Sequence, residues 1–173
     1  QKCLTNLRDP SHRMIRLART YGCTVIISSS ASTNHYEDDL QKGADFVLMG
    51  EGEQTLLELA GAIRDGSGDF SGIRGLAYLQ DGVPLKTPAR PVMRELDILP
   101  LPAWDLVDMA AYRAIHQQHH GYFSLNVSTT RGCPFKCNWC AKPIYGNRYN
   151  ARSPQHVVRE LRWLKEQYAF DHI

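Results

Sequence analysis

Asp45-Phe-Val-Leu-Met-Gly-Glu-Gly-Glu53 is the stretch that decides the fold. An unbroken apolar run of this length suits a strand covered on both faces, which is the situation of a parallel sheet with helices packed above and below it. The glycines that follow read as a turn at the strand's carboxyl end. Upstream, Thr24-Val-Ile-Ile-Ser28 is a second buried strand, and a short helix from Tyr36 to Lys42, stopped by Gly43, joins the two. Still further upstream, Asp9-Pro10 pairs a cap with a proline at the first helical position. Met14, Ile15, Leu17, Ala18 and Tyr21 then supply the apolar side of a helix closed by Gly22. Downstream of the turn, Leu56, Leu59, Ala60 and Ile63 recur at helical spacing. The order α-β-α-β-α gives an α/β architecture, a Rossmann-like layer sandwich with crossover helices. Two strands are too few for such a sheet, so the chain is expected to be a piece whose first strands precede Gln1.

Beyond this run, Gly75 to Gln80 and Val83 to Leu85 flank Asp81-Gly82, the signature of a type I′ hairpin. Five of the nine prolines fall between Pro84 and Pro102, which disfavours regular structure and marks a linker. A second unit follows. Leu125 to Thr130 alternates as a strand, Ser153-Pro154 caps a helix with Val157, Leu161, Leu164 and Tyr168 on one side, and Phe170 to Ile173 begins another strand.

Between that strand and that helix lies Arg131-Gly-Cys-Pro-Phe-Lys-Cys-Asn-Trp-Cys140. Thiolates spaced C-x3-C-x2-C converge on one metal centre from a single loop, yet three of them cannot fill the four positions of a cubane iron–sulfur cluster or a tetrahedral zinc. One position is left for chemistry. A loop placed after a strand and before a helix also sits where α/β proteins collect their ligands. The alternative is zinc held by three thiolates and one of His116, His119 and His120. It lacks the paired knuckles or the H-x3-5-H of structural zinc sites, and the histidine run reads as a polar surface turn.

The rest of the composition narrows the class. With 173 residues, 43% of them hydrophobic, 22% charged, and a formal charge of +2, the chain carries no global case for nucleic-acid or membrane binding. Five cysteines, three of them clustered, argue against a secreted disulfide framework and for a reducing, cytoplasmic compartment; Cys3 and Cys23 read as small core or surface residues. Charge is uneven, however. Residues 131 to 165 carry eight basic side chains against Glu160 alone, whereas residues 37 to 65 carry eight acids against Lys42 and Arg64. The basic face around the thiolates suits an anionic ligand or an acidic electron donor.

The cysteine spacing, the aromatic Trp139 before the last cysteine and the lead-in Arg-Gly-Cys-Pro resemble the cluster motif of the radical S-adenosylmethionine superfamily. The run from Val25 through Gly50-Glu-Gly-Glu-Gln-Thr55 is similar to the second half of the cobalamin-binding domain that precedes the radical domain in one large subgroup. The resemblance implies a chain divided into three parts. Residues 1–70 would end a cobalamin-binding-type domain, 71–120 would be hairpin and linker, and 121–173 would begin a partial TIM-type barrel.

It also implies a site. Cys133, Cys137 and Cys140 would hold a [4Fe–4S] cluster whose fourth iron chelates S-adenosylmethionine, and one electron would split that sulfonium into methionine and a 5′-deoxyadenosyl radical. Trp139 would cover the cluster near the adenine, against the alternative of a plain core tryptophan. Ser28, Ser29 and Ser30 stand where the subgroup has a glycine pair, and Gly50, Glu51 and Gly52 would line the same crevice; Glu51 reads equally as a solvated loop carboxylate. The implied activities are cobalamin-associated methyl transfer, or a radical cyclisation or rearrangement, on a small-molecule substrate. A flavodoxin or ferredoxin would serve as electron donor. Two other readings remain: a zinc-stabilised binding module whose basic segment engages an acidic partner, and a degenerate piece that keeps the fold without the cofactor.

Overall fold

A computed structural model describes residues 2–140, 142 and 144–173, with side chains from residue 8 onward. The structure is mixed α/β and divides into two compact units, residues 1–92 with 132–147, and residues 93–131 with 148–173.

The first unit opens on helix α1 (Lys2–Thr20), which starts well before the expected cap and carries Pro10 inside it. The proline ring holds a helical φ and removes one backbone donor, so it permits the helix to run through at the loss of one hydrogen bond. Only part of the expected apolar side is covered. Ile15 is buried and Ala18 half-buried, whereas Met14, Leu17 and Tyr21 are exposed. Strand β1 (Ile26–Ser28) leads into a short helix α2 (Ser30–Asn34) that periodicity does not reveal, then α3 (Tyr36–Gln41), β2 (Phe46–Leu48) and α4 (Glu53–Arg64). Helix α4 buries Thr55 and Leu59 and half-buries Ala62, while Leu56, Ala60 and Ile63 face outward, a rotation of the expected stripe. Thr55 accounts for it, because its hydroxyl donates to the Arg74 carbonyl at 2.9 Å.

Strands β1 and β2 are parallel, in the register Ile26–Phe46, Ile27–Val47 and Ser28–Leu48. The expected hairpin joins the sheet of this unit. Strands β3 (Leu76–Gln80) and β4 (Val83–Lys86) extend the same sheet antiparallel in the order β1-β2-β3-β4, so it is a mixed sheet of four strands. Asp81 and Gly82 both have positive φ, 52° and 78°, as a type I′ turn requires. Pro84 is tolerated because β4 lies at the sheet's edge, where a missing donor costs no ladder bond. Phe46, Leu48, Leu59, Leu76 and Tyr78 form the largest core on this sheet.

Gly75 fixes the entry into the hairpin. Its φ is +74°, and a Cβ there would stand 3.1 Å from both the Met49 carbonyl oxygen and Thr55 Oγ1. Both neighbours are held in place: Met49 N donates to the Gly75 carbonyl at 2.8 Å, and Thr55 Oγ1 donates to the Arg74 carbonyl at 2.9 Å. Gly75→Ala is expected to destabilise the unit by about 2–3 kcal/mol. Gly66→Ala, at φ +71° with nothing within 4 Å, should cost about 1 kcal/mol from backbone strain alone. Urea unfolding of the pair measures the difference, and equal losses would contradict the crowding argument.

The second unit contains two short 3₁₀ turns, Leu96–Ile98 in the proline-rich stretch and Trp104–Leu106 just after it. Helix α5 (Met109–His120) follows and takes in the histidine run expected to be a turn. Asp108 caps it, its carboxylate accepting from Ala111 N at 3.0 Å, and Gly121 ends it at φ 77°. The strand expected over Leu125 to Thr130 is not a ladder strand. The ladder is confined to β5 (Thr130–Gly132) and β6 (Tyr149–Ala151), while Ser124 forms a single parallel bridge with His172. Helix α6 (Pro154–Tyr168) starts where expected, with Ser153 Oγ accepting from His156 N at 3.1 Å. It spans the interval between the two bridged residues, as a crossover helix between parallel strands does. Phe123, Leu125, Leu164, Met109 and Phe170 form the core of this unit.

Candidate functional site

Two turns of the first unit meet the cysteine loop. Ser28 ends β1, and Ser29 caps α2 with its Oγ accepting from Ser32 N at 2.9 Å, so that oxygen is already committed to the backbone. Ser30 lines a cavity of about 230 Å³ together with Gly132, Cys133, Cys140, Lys142 and Ile144. The turn after β2 closes on the same region. A Cβ on Gly52 would lie 3.4 Å from Ser28 Oγ and 3.1 Å from Leu48 Cδ1, and one on Gly50 would lie 3.8 Å from the Ile144 carbonyl. Gly50 N donates to Thr33 Oγ1 at 3.3 Å, which ties the two turns together. Glu51 is buried, not the solvated carboxylate that a polar turn suggests.

The cysteine loop presents its thiols unevenly. Cys133 is half-buried, while Cys137 and Cys140 are exposed, and Cys140 N donates to the Cys137 carbonyl at 3.2 Å in a tight turn. Cys133 and Cys140 share the cavity, whereas Cys137 is not part of its lining. Among the described residues no three His, Cys, Asp or Glu side chains gather as a metal-binding group. The donor set nonetheless fits an iron–sulfur cluster with an open iron: three thiols lie within eight residues, and two of these residues line one cavity. Trp139 is 88% exposed, so it is not a core tryptophan. Cys23 is exposed as well, and the side chain of Cys3 lies outside the described residues.

Lys142 was legible only as one cation in a basic segment. Its Nζ donates to the Cys133 carbonyl at 3.1 Å, to Asn147 Oδ1 at 2.9 Å and to the Phe135 carbonyl. Its signal in the sequence is its place two residues after the last cysteine.

The histidines offered for zinc do other work. His116 Nδ1 lies 2.9 Å from the Tyr122 carbonyl, just past the end of α5, and the His116 and His120 rings pack at 4.6 Å.

The second unit holds a separate cavity of about 270 Å³, lined in part by Trp104, Asn126, Ser128, Arg152, His156 and Glu160. Glu160 is fully buried and accepts from Trp104 Nε1 at 3.0 Å. Its other oxygen forms an ion pair with Arg152 Nη1 at 2.5 Å, and the same nitrogen donates to the Ser128 carbonyl at 2.9 Å. Arg152 Nε also donates to His156 Nδ1 at 3.0 Å.

In fold the chain is similar to solved cobalamin-dependent radical S-adenosylmethionine enzymes. Among solved structures, TsrM from Kitasatospora setae, a radical S-adenosylmethionine methyltransferase, superposes with a TM-score of 0.69 at 23% identity over 93% of this chain and 31% of its own. It has been seen with a tryptophan substrate and an S-adenosylmethionine analogue, and also with cobalamin and a [4Fe–4S] cluster. OxsB, a cobalamin-dependent S-adenosylmethionine radical enzyme seen with aqua-cobalamin and S-adenosylmethionine, gives a TM-score of 0.71 at 14% identity over 95% of this chain and 23% of its own.

Two curated relatives are closer in sequence. An uncharacterized methyltransferase of Pyrococcus horikoshii is 36% identical over 130 residues, 75% of this chain and 27% of that protein. An anaerobic magnesium-protoporphyrin IX monomethyl ester cyclase of a Synechocystis species is 31% identical over 134 residues, 76% of this chain and 26% of that protein. The chain thus spans about a quarter of the length of these relatives. No family model matches it. No helix among the described residues is long and apolar enough to cross a membrane.

Proposed function

We propose that the protein is a radical S-adenosylmethionine enzyme that works with cobalamin, and that Cys133, Cys137 and Cys140 hold its [4Fe–4S] cluster. The observation that carries this reading is the cavity Ser30 shares with Cys133 and Cys140, which brings the serine turn and the cysteine loop to one place. A cluster bound there would supply one electron for the reductive cleavage of the sulfonium of S-adenosylmethionine to methionine and a 5′-deoxyadenosyl radical.

The chain's own residues have separate tasks. Cys133, Cys137 and Cys140 would hold the cluster and would leave one iron open for the amino and carboxylate groups of S-adenosylmethionine. Trp139, exposed beside Cys140, offers an aromatic face to the adenine. Ser28, Ser30, Gly50, Glu51 and Gly52 frame the corrinoid side, with the Ser29 oxygen held back as the cap of α2. Glycine at 52 keeps the two turns in close approach, because a side chain there would press on Leu48 and Ser28. Lys136 and Arg148 belong to a basic segment suited to an acidic electron donor of the flavodoxin or ferredoxin type. Thiolates kept for a cluster require a reducing, cytoplasmic setting.

Methyl transfer to a small molecule is the favoured reaction class, on the similarity to the Pyrococcus methyltransferase and the fold shared with TsrM. Radical cyclisation is the second reading, favoured by the similarity to the magnesium-protoporphyrin cyclase. Anaerobic reconstitution with iron and sulfide is expected to give a brown protein with equal amounts of the two elements, and incubation with hydroxocobalamin a corrinoid that survives gel filtration. A colourless protein holding one zinc would overturn the cluster assignment, and a corrinoid lost on the column would overturn the cobalamin assignment.

A further inference from the structure

We infer that Lys142 is a positioning residue for the cysteine loop, an ammonium clamp that ties the start of the segment carrying the three proposed cluster ligands to its end. This rests on the cluster reading above. An ammonium group has three donors and no acceptor. Lys142 directs its Nζ to three acceptors, the carbonyls of Cys133 and Phe135 at the start of the loop and Asn147 Oδ1 at its end. Cys133 is itself a proposed ligand, so the clamp acts on the backbone that carries one thiol and closes the segment that carries all three.

The physical need for such a clamp is plain. Among its described residues the segment from Cys133 to Asn147 has no ladder or helix to hold it, and ordering a loop costs about 1–2 kcal/mol per residue in backbone freedom. Carbonyls brought together around one cation repel each other unless that cation is present, so the fold of residues 133–135 depends on Lys142. Lys142 also lines the cavity with Cys133 and Cys140, which sets a positive charge on the wall where thiolates and cluster would add negative charge. Arginine is no substitute, because a planar fork cannot meet acceptors arranged around a point charge.

The test compares wild type, Lys142→Met and Lys142→Arg. In metal-free protein, amide exchange of residues 133–147 is expected to quicken in Lys142→Met while thermal melting and circular dichroism stay those of wild type. After reconstitution, Lys142→Met should lose iron to a chelator about tenfold to a hundredfold faster, the scale set by residues that orient metal ligands. Its cluster potential should move to more negative values with the loss of the nearby cation. Lys142→Arg should keep the wild-type potential and show intermediate retention, which separates charge from geometry. Retention and exchange equal to wild type in Lys142→Met would overturn the clamp, as would a loss of retention matched by a general drop in melting temperature. A wild-type protein that takes up no cluster would instead sink the cluster reading, and the amide-exchange arm would still decide whether Lys142 orders the loop.

Discussion

Cys137→Ala is expected to leave the protein unable to retain an iron–sulfur cluster, with its circular dichroism and unfolding midpoint unchanged. Three thiolates are the minimum that hold a cubane while leaving one iron open, and no other described Cys, His, Asp or Glu joins them in a ready-made group that would replace a lost ligand. Truncation removes the sulfur and little else. Cys137 is exposed, and its structural bond runs through its carbonyl, which accepts from Cys140 N and survives in alanine. Exposed substitutions of this kind change stability by about 0.5 kcal/mol or less. Cys23→Ala is the control, since that thiol is exposed and outside the cavity lining, and it should reconstitute like wild type. Iron and sulfide are measured after anaerobic gel filtration. Full occupancy in Cys137→Ala would show that the three-cysteine ligand set is wrong.

The elements legible in the sequence are those whose ends carry their own chemistry. Ser153-Pro154 defines the start of α6 because a hydroxyl acceptor and a preset φ act within one turn, and Ser153 Oγ takes the His156 N–H as expected. Asp81-Gly82 defines the hairpin because few other residue pairs adopt two positive φ values. The destination of the hairpin was not legible. Its pairing with β2, in the register Phe46–Tyr78, Val47–Ala77 and Leu48–Leu76, is a contact between segments about thirty residues apart, and local propensity carries no term for it. Leu125 to Thr130 fails for the same reason in reverse. Leu125 is buried, Asn126 and Ser128 are exposed and Val127 is half-buried, so the alternation is real, yet a strand becomes part of a sheet only through partners for its ladder.

Helix α5 was missed although its signals were present. Asp108 and Gly121 bracket it as cap and stop, but Gln117, Gln118 and the flanking His116, His119 and His120 suggested a polar turn. Of the candidate site, residue types and spacing along the loop were legible, because thiols at short intervals have few other uses. Its neighbours were not. That Ser30 shares a cavity with Cys133, or that Glu51 is buried, depends on how two turns and a loop pack. The same holds for Lys142, whose three acceptors include two backbone carbonyls that no side-chain pattern announces.

Glu160→Ala is expected to destabilise the second unit by about 3–5 kcal/mol, the range found when one partner of a buried ion pair is removed. Glu160 is fully buried and faces Arg152 at 2.5 Å, and the Arg152 side chain is 10% exposed. Without the carboxylate a guanidinium remains desolvated, with the Ser128 carbonyl and His156 Nδ1 as the acceptors of its N–H groups among the described residues. Trp104 Nε1 loses its acceptor at the same time, which frees the 3₁₀ turn from α6. Glu160→Gln keeps the volume and an oxygen for Trp104 but leaves the Arg152 charge uncompensated, so most of the loss should persist. The double change Arg152→Met with Glu160→Leu removes both charges and should be milder than Glu160→Ala, because an apolar pair carries no desolvation penalty. Urea unfolding followed by tryptophan fluorescence reads this unit, since Trp104 and Trp163 belong to it. A double variant as unstable as Glu160→Ala would show that the network acts through shape and not through charge. A loss below about 1 kcal/mol in Glu160→Ala would place the pair among weak surface bridges, despite its burial.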